Sequence, residues 1–249
     1  MSQARPRMTP PRDLPSPTMV LYALLLALTM GLVSWTALEL TDPAALPIRR
    51  IMVEGEFLHL DPRHVQSVVG GAVDAGFFGV DVAELRALLQ DQPWIRDAAI
   101  RRVWPDGLHV SIVEQTPAAR WGDYGLLNDA ADIFVPDPED LPEGLVRLSG
   151  PLGSEAEVLE CYRYVRGQLG RIGLSAMAVE LSDRHAWTVT TNGGHEIVFG
   201  RKDFENRLAR FVFGYSRALE HAWSQIGRVD LRYTNGFAVG ARAPAERSG

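Results

Sequence analysis

The sequence predicts an α+β protein in three parts: an N-terminal transmembrane helix, a small β-α-α-β-β domain, and a mixed α/β domain with two helices on a largely antiparallel sheet. Three observations predict this. Met19 to Leu38 contains no charged side chain. Residues 47 to 116 alternate strand and helix patterns with turn signals between them, and the chain after Pro117 changes to short strands interrupted by two amphipathic stretches. The roughly 200 residues beyond the apolar run suffice for two compact domains.

A bilayer core of roughly 30 Å needs about 20 mostly apolar helical residues to cross it, and Met19 to Leu40 meets that length. A cleaved secretory signal would have a shorter apolar region followed by a small-residue cleavage site. Here the run passes directly into Trp35, Glu39 and Asp42, so the expectation is an uncleaved anchor over 19–40. Arg5, Arg7 and Arg12 precede the span, whereas Glu39 and Asp42 follow it. The excess of positive charge places the N-terminus in the cytoplasm and everything beyond Leu40 outside. The head, residues 1–18, is broken by Pro6, Pro10, Pro11, Pro15 and Pro17 and is expected to be disordered.

In the first outer domain, Ile48 to Val53 is a β-branched strand. Asp61-Pro62 caps and opens a helix through Val65, Val68 and Val69, and Gly70-Gly71 stops it. Asp81 with Glu84 has the form of a capping box ahead of a helix whose apolar face is Val82, Leu85, Leu88 and Leu89. Ile95 to Trp104 is a strand, and Pro105-Asp106-Gly107 is a turn in which proline presets φ. The next strand points Leu108, Val110 and Ile112 inward and His109, Ser111 and Val113 outward.

In the second outer domain, Asp129-Ala130-Ala131-Asp132 is a hairpin turn before Ile133 to Val135, and Asp137 to Asp140 is a solvated acidic loop without the alternating ligand pattern of a calcium site. Ser154 with Glu157 forms a capping box, opening a helix through Val158, Tyr162, Val165, Leu169 and Ile172. Strands follow at 178–181, 186–191 and 196–200, the last two joined by Asn192-Gly193-Gly194. A second helix covers Asp203 to Trp223 with Phe204, Leu208, Phe211, Val212, Tyr215 and Leu219 on one stripe, while Arg207, Arg210 and Arg217 face elsewhere. Strands at Arg228 to Tyr233 and Phe237 to Gly240 flank a Thr234-Asn235-Gly236 turn, and residues 241–249 form an untied tail.

The net charge of −6 and the lack of any basic block argue against nucleic acid as a partner. Cys161, the sole cysteine, lies on an apolar helix face as a buried, unreactive thiol, and no intrachain disulfide is available. No nucleophile elbow, H-E-x-x-H, C-x-x-C or phosphate-cradling glycine loop is present, and the six histidines lack ligand spacing. The sequence therefore predicts no catalytic, cofactor or metal site. It predicts a protein of recognition.

The β-α-α-β-β order resembles a POTRA domain. The words IRRIMVEGE at 48–56, QPWIRDAAIRRVWPDGLHVSIVEQTPAARW at 92–121, RLARF at 207–211 and VDLRY at 229–233, behind an N-terminal anchor, resemble the bacterial cell-division family FtsQ, called DivIB in Gram-positive relatives. PWI…WPD…VEQTPAARW is similar to the proteobacterial branch. The resemblance implies a POTRA domain over 46–116, an FtsQ-type β-domain over 117–240, and a non-enzymatic inner-membrane scaffold of the division septum. It implies periplasmic binding of FtsB and FtsL by strand addition, with FtsK and other divisome proteins meeting the POTRA domain. Carried over through RYTNGFAVG at 232–240, the partner surface comprises Arg232, Tyr233, Asn235, Gly236, Phe237 and Gly240. Arg184 matches a family arginine that meets an acidic residue of FtsB. Ala241 stands where the family word often carries a tryptophan. The competing expectation is a POTRA module for outer-membrane protein assembly or secretion. Such chains continue into alternating barrel strands, which this sequence lacks.

Overall fold

The computed structural model describes residues 17–41, 47–73, 76–234 and 236–242. The disordered head expected over residues 1–18 falls largely outside them, as do Asn235 and most of the expected tail. The contacts separate two units: Met1–Glu54, Pro62–Leu89 and Ala99–Ser111 form one, and Gly55–Asp61, Gln90–Ala98 and Ile112–Gly249 form the other.

The first unit opens with α1 (Pro17–Thr41), which is long and apolar enough to cross a membrane. Within it the Thr29 and Thr36 hydroxyls donate to the carbonyls of Leu25 and Leu32, four residues back, so neither hydroxyl is left unpaired. Then come β1 (Arg50–Glu54), α2 (Pro62–Gly71), a short α3 (Gly76–Gly79), α4 (Val82–Gln90), β2 (Ile95–Val103) and β3 (Gly107–Glu114), the start of β2 and the end of β3 counting with the second unit. The sheet order is β1-β3-β2, with β1 parallel to β3 and Arg50 opposite Gly107. Pro62 occupies the first helical position as expected. Asp81 caps α4 by accepting the Ala83 and Glu84 amides at 2.8 and 3.3 Å. The alternation along β3 holds: Leu108, Val110 and Ile112 are buried, and Val113 is exposed.

The second unit carries a nine-stranded sheet. Its strands are β4 (Pro117–Trp121), β5 (Gly125–Asn128), β6 (Ile133–Phe134), β7 (Arg147–Ser149), β8 (Ala176–Leu181), β9 (Trp187–Thr191), β10 (Glu196–Gly200), β11 (Ile226–Asp230) and β12 (Ala238–Ala241). The order is β12-β11-β10-β9-β8-β7-β4-β5-β6. The pairs β4–β7, β7–β8 and β10–β11 are parallel and the rest antiparallel. Helices α5 (Glu155–Gly170) and α6 (Phe204–Gly214) supply Val158, Leu159, Val165, Leu169, Leu208 and Phe211 to a core shared with Val179, Val189, Ile197, Phe199 and Val229. Burial of such side chains is worth roughly 1.5–3 kcal/mol each, so this apolar layer dominates the unit's stability.

Three local expectations change. Ser154 does not cap α5, because its hydroxyl turns back to donate to Pro151 O at 2.6 Å. The helical run expected to Trp223 is regular only to Gly214 and then loosens into a π turn (Tyr215–Leu219) and a 3-10 turn (Glu220–Gln225). The strand expected to reach Tyr233 ends at Asp230. Arg232 and Tyr233 therefore belong to a loop, and β12 begins only at Ala238. Cys161 is half-buried, and burial, aided by nearby Glu157, pushes its thiol up to about 12, consistent with an inert side chain.

Candidate partner-binding surface

Strand order brings those of the predicted residues that the structure describes to one corner of the second unit. Gly200 at the end of β10 lies opposite Trp187 at the start of β9, and Val198 lies opposite Asp230 on β11. The β8–β9 turn, with Arg184 exposed on it, thus stands at the same end of the sheet as the loop after β11. His185 makes that turn tight, with φ of 55° and its amide donating to Ser182 O at 2.7 Å.

The loop after β11 is held from two sides. Arg232 grips Asp230 through Nε to Oδ1 at 2.9 Å and Nη2 to Oδ2 at 2.6 Å. These bonds hold the Asp230 carboxyl below the usual carboxylate range. From α6, Arg210 donates to three carbonyls: Thr234 at 2.7 Å, Leu231 at 3.0 Å and Tyr233 at 3.1 Å. Arg207, one turn earlier, donates to Phe199 O and to Arg232 O at 3.2 Å. Arg210 thus satisfies carbonyls past the end of β11, and Arg207 ties Phe199 of β10 to the same loop.

Gly200 permits this approach. Its φ is +74°, and a Cβ there would lie 3.0 Å from Arg232 Cγ and 3.2 Å from Arg207 Nη1. Phe237 turns inward and packs against the core, its ring over Gly214, where a Cβ would come within 2.9 Å of Cε1. Tyr233, in contrast, is 59% exposed. Strand β12 is an edge of the sheet. All four of its residues are exposed, and Gly240 lies opposite Arg228. The corner therefore combines an open row of peptide groups, an exposed tyrosine, an ion-paired arginine at its rim and a second exposed arginine on the neighbouring turn. Arg207 and Arg210 are the residues that sequence reasoning missed. Their i, i+3 spacing beside an apolar stripe puts them on one flank of α6, which was the available signal.

An apolar helix long enough to span a membrane, a three-stranded POTRA-type unit and a second unit with an exposed edge strand define a class: membrane-anchored proteins that carry a POTRA domain. Residues 46–115 match the family described as "POTRA domain, FtsQ-type", and residues 119–232 match "Cell division protein FtsQ/DivIB, C-terminal". Cell division protein FtsQ of Coxiella burnetii is 30% identical over 223 residues, covering 90% of each chain. The Allochromatium vinosum protein of that name is 33% identical over 219 residues, covering 88% of this chain and 87% of its own. That of Burkholderia pseudomallei is 32% identical over 225 residues, covering 89% of both. The chain belongs to the FtsQ/DivIB family of cell-division proteins, a non-enzymatic family. The C-terminal family match stops at Arg232, so Tyr233 and β12 lie just past it.

Proposed function

We propose that this protein is a single-pass inner-membrane scaffold of the divisome, anchored by α1, with its N-terminus in the cytoplasm and its two folded units in the periplasm at the division septum. It links early cytoplasmic division components to late periplasmic ones by binding FtsB, and through it FtsL, while the POTRA domain over 46–116 meets FtsK and other divisome proteins. The β-domain over 117–240 is the FtsB receptor. The carrying observation is β12, an exposed edge strand led by the Arg232–Tyr233 loop. An extended partner segment would complete its ladder through main-chain hydrogen bonds, with side chains beside it supplying specificity. Arg184, Arg232 and Tyr233 are the side chains so used. Gly236 and Gly240 leave the backbone approachable, and Phe237 holds the strand in place. The Tyr233→Ala protein should bind a periplasmic FtsB segment about 2 kcal/mol more weakly, roughly thirtyfold, with its melting temperature unchanged. Unaltered affinity in the folded variant would remove this site. An alkaline phosphatase fused after Gly240 should be active, and an inactive fusion would reverse the orientation.

A further inference from the structure

The unit that carries α1 also carries two aromatic side chains with large exposed areas. Trp104 is 77% exposed at the tip of the β2–β3 hairpin, and Phe78 is 51% exposed on α3. Both belong to one pole. The β2–β3 tip is tied to the start of β1: Arg49 N–H donates to Asp106 O at 2.9 Å, and the Arg50 guanidinium meets Asp106 Oδ1 at 2.6 Å. Helix α3 is tied to the end of β2, because Arg102 donates to Phe77 O at 3.0 Å and to Val80 O at 2.5 Å, and α3 also lies against α1.

This pole is on a short leash. Thr41 ends α1 and Arg49 is already fixed to the hairpin tip. The intervening chain spans at most roughly 28 Å when fully extended, at about 3.5 Å per residue. The hairpin therefore cannot leave the neighbourhood of the surface at which α1 emerges. Tryptophan is enriched in the headgroup zone, where its apolar body and N–H are both accommodated. The Arg49 and Arg101 side chains are exposed and make no ion pair among the described residues, so both are available to anionic headgroups. Arg50 and Arg102 are occupied within the fold.

We infer that the Trp104 hairpin, with Phe78, Arg49 and Arg101, is a lipid-docking surface that seats the first unit on the anionic outer face of the membrane crossed by α1. The inference rests on the anchor reading above. Its occupant is the lipid surface itself. Two exposed aromatic side chains and two arginines without ion pairs among the described residues suit weak, reversible docking, made effective because the anchor already holds the unit at high local concentration.

The test uses the full chain reconstituted in vesicles containing lipids brominated near the headgroup, with and without phosphatidylglycerol. Subtracting the quenching of Trp104→Ala from that of the parent isolates Trp104, and the same subtraction with Trp35→Phe isolates a tryptophan of α1. Trp104 is largely solvent-exposed, so its removal leaves the core intact, checked by circular dichroism. Both tryptophans should be quenched, and Trp104 more strongly when phosphatidylglycerol is present. Quenched Trp35 with unquenched Trp104 would overturn the docking surface while leaving the anchor intact. This is also the result if the hairpin serves a partner's helix. Two unquenched tryptophans would overturn the anchor and the docking surface together. Equal Trp104 quenching in both lipid mixtures would overturn the role given to Arg49 and Arg101.

Discussion

Arg102 and Arg210 do the same job in different units and with different access to water. Each lies on a regular element and reaches across to backbone carbonyls of a neighbouring segment: Phe77 in the short α3 and Val80 just after it for Arg102, and Leu231, Tyr233 and Thr234 past the end of β11 for Arg210. Arg102 is an exposed residue, so water can compete for its guanidinium, although its acceptors Phe77 and Val80 are buried. Arg210 is half-buried, with its Nε enclosed and unpartnered among the described residues. A guanidinium can stand in for a missing backbone donor, and how much it contributes depends on whether solvent could do the same.

Truncating Phe211, fully buried in the core of the second unit, sets the upper bound. Phe211→Ala should cost about 3–5 kcal/mol in denaturant unfolding. A much smaller loss would mean that the apolar layer under Arg210 is looser than its burial indicates. Arg210→Met keeps the stem but strands three carbonyls, and should cost about 2–3 kcal/mol; Arg102→Met should cost about 1 kcal/mol or less. Equal losses at the two positions would break the comparison, and the reverse order would invert it. The Arg232–Asp230 pair tests its most exposed extreme. The Asp230 carboxyl titrates below its ordinary value when folded, so the pair's contribution is fully present above about pH 4. It is lost as the pH falls through the lowered folded value. Asp230→Asn should therefore cost roughly 0.5–1 kcal/mol at neutral pH, and the gap to the parent should close in strong acid. A gap that stays constant down to pH 2 would assign Asp230 a packing role instead.

The strands and turns were largely legible in the sequence because alternation and turn chemistry are local. Leu108, Val110 and Ile112 had one face available to them, and Asn192-Gly193-Gly194 had one turn. The FtsQ-type words added the order in which those pieces assemble. Several of the failures involve side chains that find partners periodicity does not show. Arg207 and Arg210 fall on the polar flank of α6, and periodicity reads a polar flank as solvent. Only the fold reveals that unpaired carbonyls lie within reach of their long stems. Ser154 had two acceptable partners, and its hydroxyl took the Pro151 carbonyl in place of the helix amides. Strand β11 stops early because Asp230 closes on the Arg232 amide and guanidinium, a local bond that competes with the ladder. Phe237, carried over with the partner-facing word, turns out to pack its ring against the core. The gap above Gly214 that receives its ring could not be read from spacing.

Strand β12 pairs on one side only and has no buried residue of its own, so its local opening free energy lies at the low end of the unit's range while β11 remains held by β10. The strand most suited to receiving a partner is thus also among the first to exchange its amide protons. A segment that adds to its free edge completes a second ladder and damps the opening of the first. Part of the binding signal would then reside in the slowed exchange of β11–β12 amides that the partner never touches.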